Sequence, residues 1–222
     1  MIDQLTIGNT YSYDDFEASV RERIISAPKK KIIKETVPFS NETYDFSAIN
    51  GEIYWEERTL KYVFEIMANT PEELEEKKQP FLAWVMNVNS EEIHDPFITD
   101  YHFIGTFNDI EIDDSEIEKS TITVTFTAYP YMISDTKRRS VYYLSETEKV
   151  INVANNSSHR ITPTFICDVE CRVVKGNSSY VIPVGEIKDA RFMLAPGMNT
   201  LKISCPVDEI GTLEIEFYEE VF

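Results

Sequence analysis

Apolar and polar side chains alternate along much of the chain with a period of two. The pattern is cleanest in residues 121–128, where Ile122, Val124, Phe126 and Ala128 interleave with four threonines. Successive strand side chains point to opposite faces, so this stretch predicts a strand with one apolar face. It stops at Tyr129-Pro130-Tyr131. Proline has no ladder donor and biases the residue before it towards extended backbone, which ends the strand there. In residues 62–68 both parities carry apolar groups: Tyr62, Phe64, Ile66 and Ala68 on one, Val63 and Met67 with Glu65 on the other. That predicts a strand covered on both faces, or partly at an interface. "KKKIIKETVPF" reads as a strand closed by Pro38, with Lys29–Lys31 and Lys34 as edge decoration. Two more strands are predicted near Tyr101–Ile112 and Lys119–Ala128, joined by an acidic turn.

The period changes once, at about residues 70–88. Thr70 is placed as an N-cap, Pro71 takes the first helical position and Glu73 completes a capping box. Leu74, Phe81, Leu82, Val85 and Val88 recur at helical spacing and should face a sheet. Pro80 falls inside this pattern, so a kink or a fresh start of a second short helix is expected there.

After Tyr131 the chain reads as strands and turns only. Breaks fall at Asn155–Ser158, Gly176–Ser178, Pro196-Gly197 and Glu209–Gly211, and Leu213, Ile215 and Phe217 alternate with Glu214, Glu216 and Tyr218. Turn signals every eight to twelve residues indicate an antiparallel sandwich. The predicted fold class is therefore mainly β (α+β), in two domains. Residues 1–130 form a sandwich-like β domain with one helix and a hairpin. Residues 131–222 form a second β-sandwich, with Tyr129, Pro130 and Tyr131 at the domain junction.

Charge sharpens this division. The net charge is −18, and residues 1–130 hold 26 Asp/Glu against 11 Lys/Arg, whereas residues 131–222 hold 13 against 10. The first part thus carries −15 and the second −3. Such a surface repels a phosphate backbone, which argues against direct nucleic-acid binding. No run approaches the roughly 18 apolar residues of a membrane span, so no membrane insertion is expected. The N-terminal segment has neither a basic start nor an apolar core, so no signal peptide is expected. The glycosylation-like matches at Asn41, Asn155, Asn156 and Asn177 are accordingly read as polar turns. Three cysteines, Cys167, Cys171 and Cys205, point to reduced thiols and not to a disulfide framework.

Candidate chemistry is sparse. His94, Asp95, Asp100 and His102 form the densest group, but histidines eight apart do not match a zinc spacing, and turn formation by Asp95-Pro96 is the preferred reading. Asp109, Glu111 and Asp113 alternate along a strand and should spread into solvent instead of converging on a cation. Cys167 and Cys171 are read as sharing one strand face with Cys205 as a third small core residue. His159 sits in a polar turn with no visible partner. The chain has no phosphate loop, nucleophile elbow or dinucleotide fingerprint. The expectation is no catalytic residue, no metal and no cofactor. Glycan binding by the second sandwich would rest on Tyr142, Tyr143, Tyr180 and Tyr218, since both tryptophans precede it; Tyr142 and Tyr143 could stack, but adjacent strand residues point apart.

The order of several short motifs resembles that of the distal tail protein family of siphovirus-type bacteriophages and prophages. These are Asp45-Phe46-Ser47, Tyr54 with Arg58 before the strand to Phe64, and the Glu72–Leu74 helix opening ending in "FLAWV". They continue with Asp100–Phe103 and Gly105, Thr125–Tyr131, "INVANNSSHRITPTFIC", and Pro196–Leu201. Two turns depart from the family pattern: Val37-Pro38-Phe39-Ser40 lacks the usual glycine, and Asn156 and Ser157 stand where one commonly follows the asparagine. The resemblance implies a first domain that assembles as a homo-oligomer, a hexameric ring around the channel through which DNA passes. It implies a galectin-like second domain that serves as a platform. Partners would be the tail tube and the tail-tip, baseplate or receptor-binding proteins, in a virion tail assembled in the bacterial host cytoplasm. At this length the chain resembles the short, structural form without an inserted carbohydrate module. A saccharide-binding sandwich is the alternative.

Overall fold

The computed structural model describes residues 3–36, 38–39, 41–48 and 51–222. Val37 and Ser40 of the Val37–Ser40 turn lie outside the described residues. The chain divides into two compact units, Met1–Met132 with Phe222, and Ile133–Val221.

The first unit contains β1 (Thr6–Ile7), β2 (Thr10–Tyr11), β3 (Ser19–Ile25), β4 (Lys34–Thr36), β5 (Thr43–Asp45), β6 (Arg58–Met67), α1 (Pro71–Met86), β7 (Glu91–His94), β8 (Tyr101–Asp113) and β9 (Lys119–Ala128). Its sheet runs β2-β1-β7-β8-β9-β6-β3, with every neighbour antiparallel. The long central strands follow from the alternating sequence: Leu60, Tyr62, Phe64 and Ile66 of β6 and Ile122, Val124 and Phe126 of β9 are fully buried. The other face of β6 is not covered to the same degree within the chain. Val63 and Glu65 are half-buried and Met67 is exposed.

α1 lies on the buried face. Thr70 accepts a hydrogen bond from the Glu73 N–H at 3.2 Å. The return bond of the box is shifted by one residue, because Glu73 accepts from the Asn69 N–H and not from that of Thr70. Leu74, Phe81 and Val85 face inward, with the Phe81 ring 4.9 Å from that of Phe64. Pro80 does not start a second helix, and α1 is continuous through it. The residue is exposed, so the carbonyl its missing N–H would have met can bond water instead. Lys78, on the inward side, is buried and held by Glu75 and by Asp114 at 2.7 Å.

β4 and β5 pair only with each other, in a hairpin outside the large sheet. Residues 29–36 and 41–46 are exposed throughout as far as they are described, including the whole lysine run. Phe39, between the two strands, is fully exposed and has φ 63°.

β10 (Met132–Ser134) opens at the unit boundary. The second unit continues with β11 (Arg138–Leu144), β12 (Lys149–Asn155), β13 (Thr164–Cys167), β14 (Cys171–Lys175), β15 (Ser178–Ile182), β16 (Gly185–Lys188), β17 (Gly197–Ser204), β18 (Gly211–Phe217) and β19 (Glu220–Val221). Two antiparallel sheets, β11-β18-β13-β16 and β12-β17-β14-β15, enclose one apolar core, and β10 pairs with β19. Phe165, Phe192, Leu201, Leu213 and Ile215 are fully buried at its centre. The asparagine turn is built by Asn155, which is fully buried. It donates to the His159 and Leu194 carbonyls and accepts from the Ser157 N–H.

Three details of this unit differ from the sequence reading. Cys167 and Cys171 do not share a strand: one ends β13 and the other opens β14 in the opposite sheet, and their sulfurs meet at 3.4 Å. The hydrogen bond to Cys167 and burial hold the Cys171 thiol well above its ordinary pKa. Glu214 points away from the core yet is buried, because Arg139 folds over it. His159 has a partner, Glu220 Oε2, 3.2 Å from its Nε2. At Gly211 a side chain has no room, since a Cβ would collide with Asp168 Oδ1 and the Val169 methyls.

Candidate functional site

Three places in the first unit bear on function. The first is the β7–β8 hairpin. Its register pairs Glu92 with Ile104 and Ile93 with Phe103, which sets His94 across from His102. Ile93 and Phe103 face the core and are buried. Glu92, His94 and His102 therefore share the opposite face. Gly105 permits this close pairing, because a Cβ there would run into the Ile93 side chain at 2.5 Å. The imidazole centroids of His94 and His102 are 5.1 Å apart. Glu92 reaches both Nε2 atoms, at 3.7 Å from His94 and 4.0 Å from His102. Spacing in the sequence hid this group, since the seven residues between the histidines are folded back by the hairpin.

Asp95 serves the turn expected from Asp95-Pro96, its Oδ1 accepting from the Phe97 N–H at 2.9 Å. It is also the centre of a buried network that the sequence did not disclose. Its carboxylate has no exposure, takes Arg23 Nη1 at 2.5 Å and accepts from Tyr62 Oη at 3.0 Å. Burial, followed by the Asp95 charge, pushes the Tyr62 phenol well above its usual pKa. Arg23 also lies over the Phe97 ring. Asp100, the remaining member of the sequence cluster, is outside the converging trio, and so are Asp109, Glu111 and Asp113, which stand exposed along β8.

The second place is Tyr129-Pro130-Tyr131. All three residues belong to the first unit, whose boundary falls after Met132. Tyr129 continues the pairing by donating its N–H to the Ile104 carbonyl at 2.9 Å. Pro130 and Tyr131 are buried, and the Tyr129 and Tyr131 rings lie 5.6 Å apart. Arg58 holds the segment from β6. Its Nη1 donates to the Pro130 carbonyl at 3.3 Å, its Nε to the Ser26 carbonyl at 2.9 Å, and its guanidinium lies over the Phe103 ring. Burial lowers the Arg58 pKa.

The third is the β4–β5 arm. Ile32, Ile33, Phe39, Tyr44, Ile53 and Tyr54 are exposed on it or beside it, next to Lys29–Lys31 and Lys34. Exposed apolar side chains grouped in this way make the arm a candidate interaction surface. No comparable open aromatic platform occurs at the tryptophans: Trp84 stacks on Phe16, and Trp55 packs edge-on against Phe222.

The whole chain, 100% of it, superimposes on 100% of the SPP1 phage Dit protein (gp 19.1) with a TM-score of 0.71 and 12% identity. The chain has the Dit fold. SPP1 Dit is described as a paradigm of the hub of the adsorption apparatus in phages that infect Gram-positive bacteria. A structure of the phage P2 baseplate, in its activated conformation with Ca, aligns over 97% of this chain and 98% of its own at 9% identity. Its TM-score of 0.43 is too low to bear on the argument. No protein-family model matches the sequence, and no curated protein matches it. The described residues are mainly β, with α1 as their one helix; the first unit is not the sandwich-like domain expected from the sequence, since a helix and not a second sheet covers its large sheet, whereas the second unit is a two-sheet sandwich. Among the described residues no helix is long and apolar enough to cross a membrane.

Proposed function

We propose that the chain is a structural hub protein of a phage tail tip, an adaptor that joins the tail tube to host-recognition proteins around the DNA channel. The observation that carries this reading is the fold shared over the full length of both chains with SPP1 Dit, a hub adsorption-apparatus protein. In this reading the first unit, closed by Tyr129-Pro130-Tyr131, forms a hexameric ring in the virion tail. The second unit is the platform for baseplate or receptor-binding proteins. The chain carries out no reaction, and assembly takes place in the host cytoplasm.

Two features of the first unit support ring formation. The arm exposes apolar side chains beside four lysines, while the unit as a whole is strongly acidic. A head-to-tail contact between an apolar, basic arm and an acidic neighbour repeats until the ring closes. The acidic excess would also weaken adhesion of passing DNA. Saccharide binding is not favoured, because the tryptophans are packed and Tyr142 and Tyr143 point apart, with Tyr142 against the core and Tyr143 exposed.

The test is native mass measurement with electron microscopy of the purified chain over a range of concentrations. A six-membered ring is expected at high concentration. The double variant Phe39→Ser with Tyr44→Ser should abolish it while leaving the circular dichroism spectrum unchanged. A closed two-fold dimer, or a monomer at every concentration with and without tail-tube protein, would sink the reading.

A further inference from the structure

We propose that Glu92, His94 and His102 form a binding site for a divalent transition-metal ion of the zinc type. The inference does not depend on the tail-hub reading. Among the described residues this is the one group of three His, Cys, Asp or Glu side chains whose ligand atoms converge, all lying within 4.8 Å of one another.

The donor set decides the class of ion. Two imidazole nitrogens and one carboxylate suit zinc and its neighbours, whereas calcium and magnesium take oxygen ligands. The separations are also close to what such an ion requires. Bonds of about 2.0–2.1 Å in a tetrahedron place ligand atoms about 3.3 Å apart. One Glu92 oxygen stands 3.7 Å from His94 Nε2 and the other 4.0 Å from His102 Nε2, with the whole set within 4.8 Å, so rotations of the exposed Glu92 and partly exposed His94 side chains bring one oxygen and both imidazoles onto a single ion.

The framework behind the ligands is firm. β7 is paired on both sides, with β1 through Thr6–His94 and Ile7–Ile93, and with β8. Ile93 and Phe103 anchor the two strands from the core face. Directly after His94, the network around Asp95 fixes the path of the chain. Ligands on paired strands hold their geometry better than ligands on loops.

Exposure is graded across the trio. The side chain of His102 is 7% exposed, that of His94 35% and that of Glu92 58%. An ion can therefore enter from solvent, bind against the buried His102 and keep one coordination position open for water. Three protein ligands with one open position are the arrangement of accessible zinc sites. Bound there, the ion would clamp the short strand β7 to β8 and stabilise the pairing between them.

The test is calorimetric titration of the chelator-treated full chain with zinc chloride alone, with magnesium and calcium chloride as controls. One zinc per chain is expected, with no magnesium or calcium binding at the same concentrations, and a rise in Tm with zinc. His94→Ala and Glu92→Gln, both on the accessible side, should each weaken binding about tenfold or more and remove the Tm shift. Cobalt(II) should give weak visible bands without an intense thiolate band in the near ultraviolet. Unchanged zinc affinity in His94→Ala and Glu92→Gln would overturn the assignment. So would an intense thiolate band, which would place the metal on the cysteines of the second unit.

Discussion

The two units cover their sheets in different ways. The second unit lays sheet on sheet; Asn155, Ser157 and Asn199, uncharged groups that serve turns, are buried with its apolar core, and its buried Glu214 lies outside that core beneath Arg139. The first unit lays a helix on one sheet face and buries charge: Asp95 with Arg23, Lys78 with Asp114, and Arg58 against Pro130. It also carries −15 of the net charge of −18 and leaves an apolar arm exposed. A sandwich that closes on itself has its stability concentrated in its own core. A unit with charged networks and uncovered apolar surface leaves more that a neighbour could cover, which is the surface the proposed ring contact would use.

The comparison can be broken one unit at a time. Both tryptophans lie in the first unit and all three cysteines in the second, so fluorescence follows one and thiol reactivity the other. Asp95→Ala leaves Arg23 without its carboxylate and the buried Tyr62 hydroxyl without its acceptor. A loss of about 3–5 kcal/mol is expected, read as a lower urea midpoint of the fluorescence transition. A shift below about 1 kcal/mol would show that the buried charge is dispensable.

Asn155→Ala removes two donated bonds and one accepted bond inside the second unit. Leaving the Leu194 carbonyl and its neighbours unsatisfied should cost about 1–3 kcal/mol. The urea midpoint for thiol exposure should fall while the fluorescence midpoint stays in place. Equal movement of both would contradict the separation drawn here.

The smallest effect concerns acid. Bonds from Lys78, then Ser120, hold the Asp114 carboxyl below its ordinary pKa. The Lys78 ammonium is opposed by burial, but its bonds to Asp114 and Glu75 outweigh that and raise its pKa. A depressed carboxylate adds stability above its unfolded pKa, near 4, and the contribution is lost as pH falls through the lower folded value. The wild type should therefore lose more stability than Asp114→Asn between about pH 5 and pH 2. Parallel pH profiles would remove Asp114 from the account.

Local signals identified the elements. Alternation marked β8 and β9, a run apolar on both parities marked β6, and Thr70-Pro71 marked the helix start, because these depend on near neighbours in sequence. What stayed hidden depends on pairing between distant segments. The meeting of His94 and His102 needs the hairpin register, and the Cys167–Cys171 contact needs two opposed sheets. The role of Asp95 needs β3 and β6 to deliver Arg23 and Tyr62. Arg58 appeared in the sequence only as part of a motif, with nothing nearby to indicate Pro130, 72 residues away.

Gly211 carries a consequence for how such a chain can vary. Asp168 accepts from the Thr212 N–H at 2.6 Å and from its hydroxyl at 2.9 Å, and it reaches them only by crossing the space where a Cβ of residue 211 would lie. A larger residue at 211 displaces Asp168 and breaks both bonds to Thr212, so a change at one of these positions alters what the other two can be. Residues 168, 211 and 212 are expected to drift through related sequences as one unit of inheritance, although 43 positions separate the first from the second.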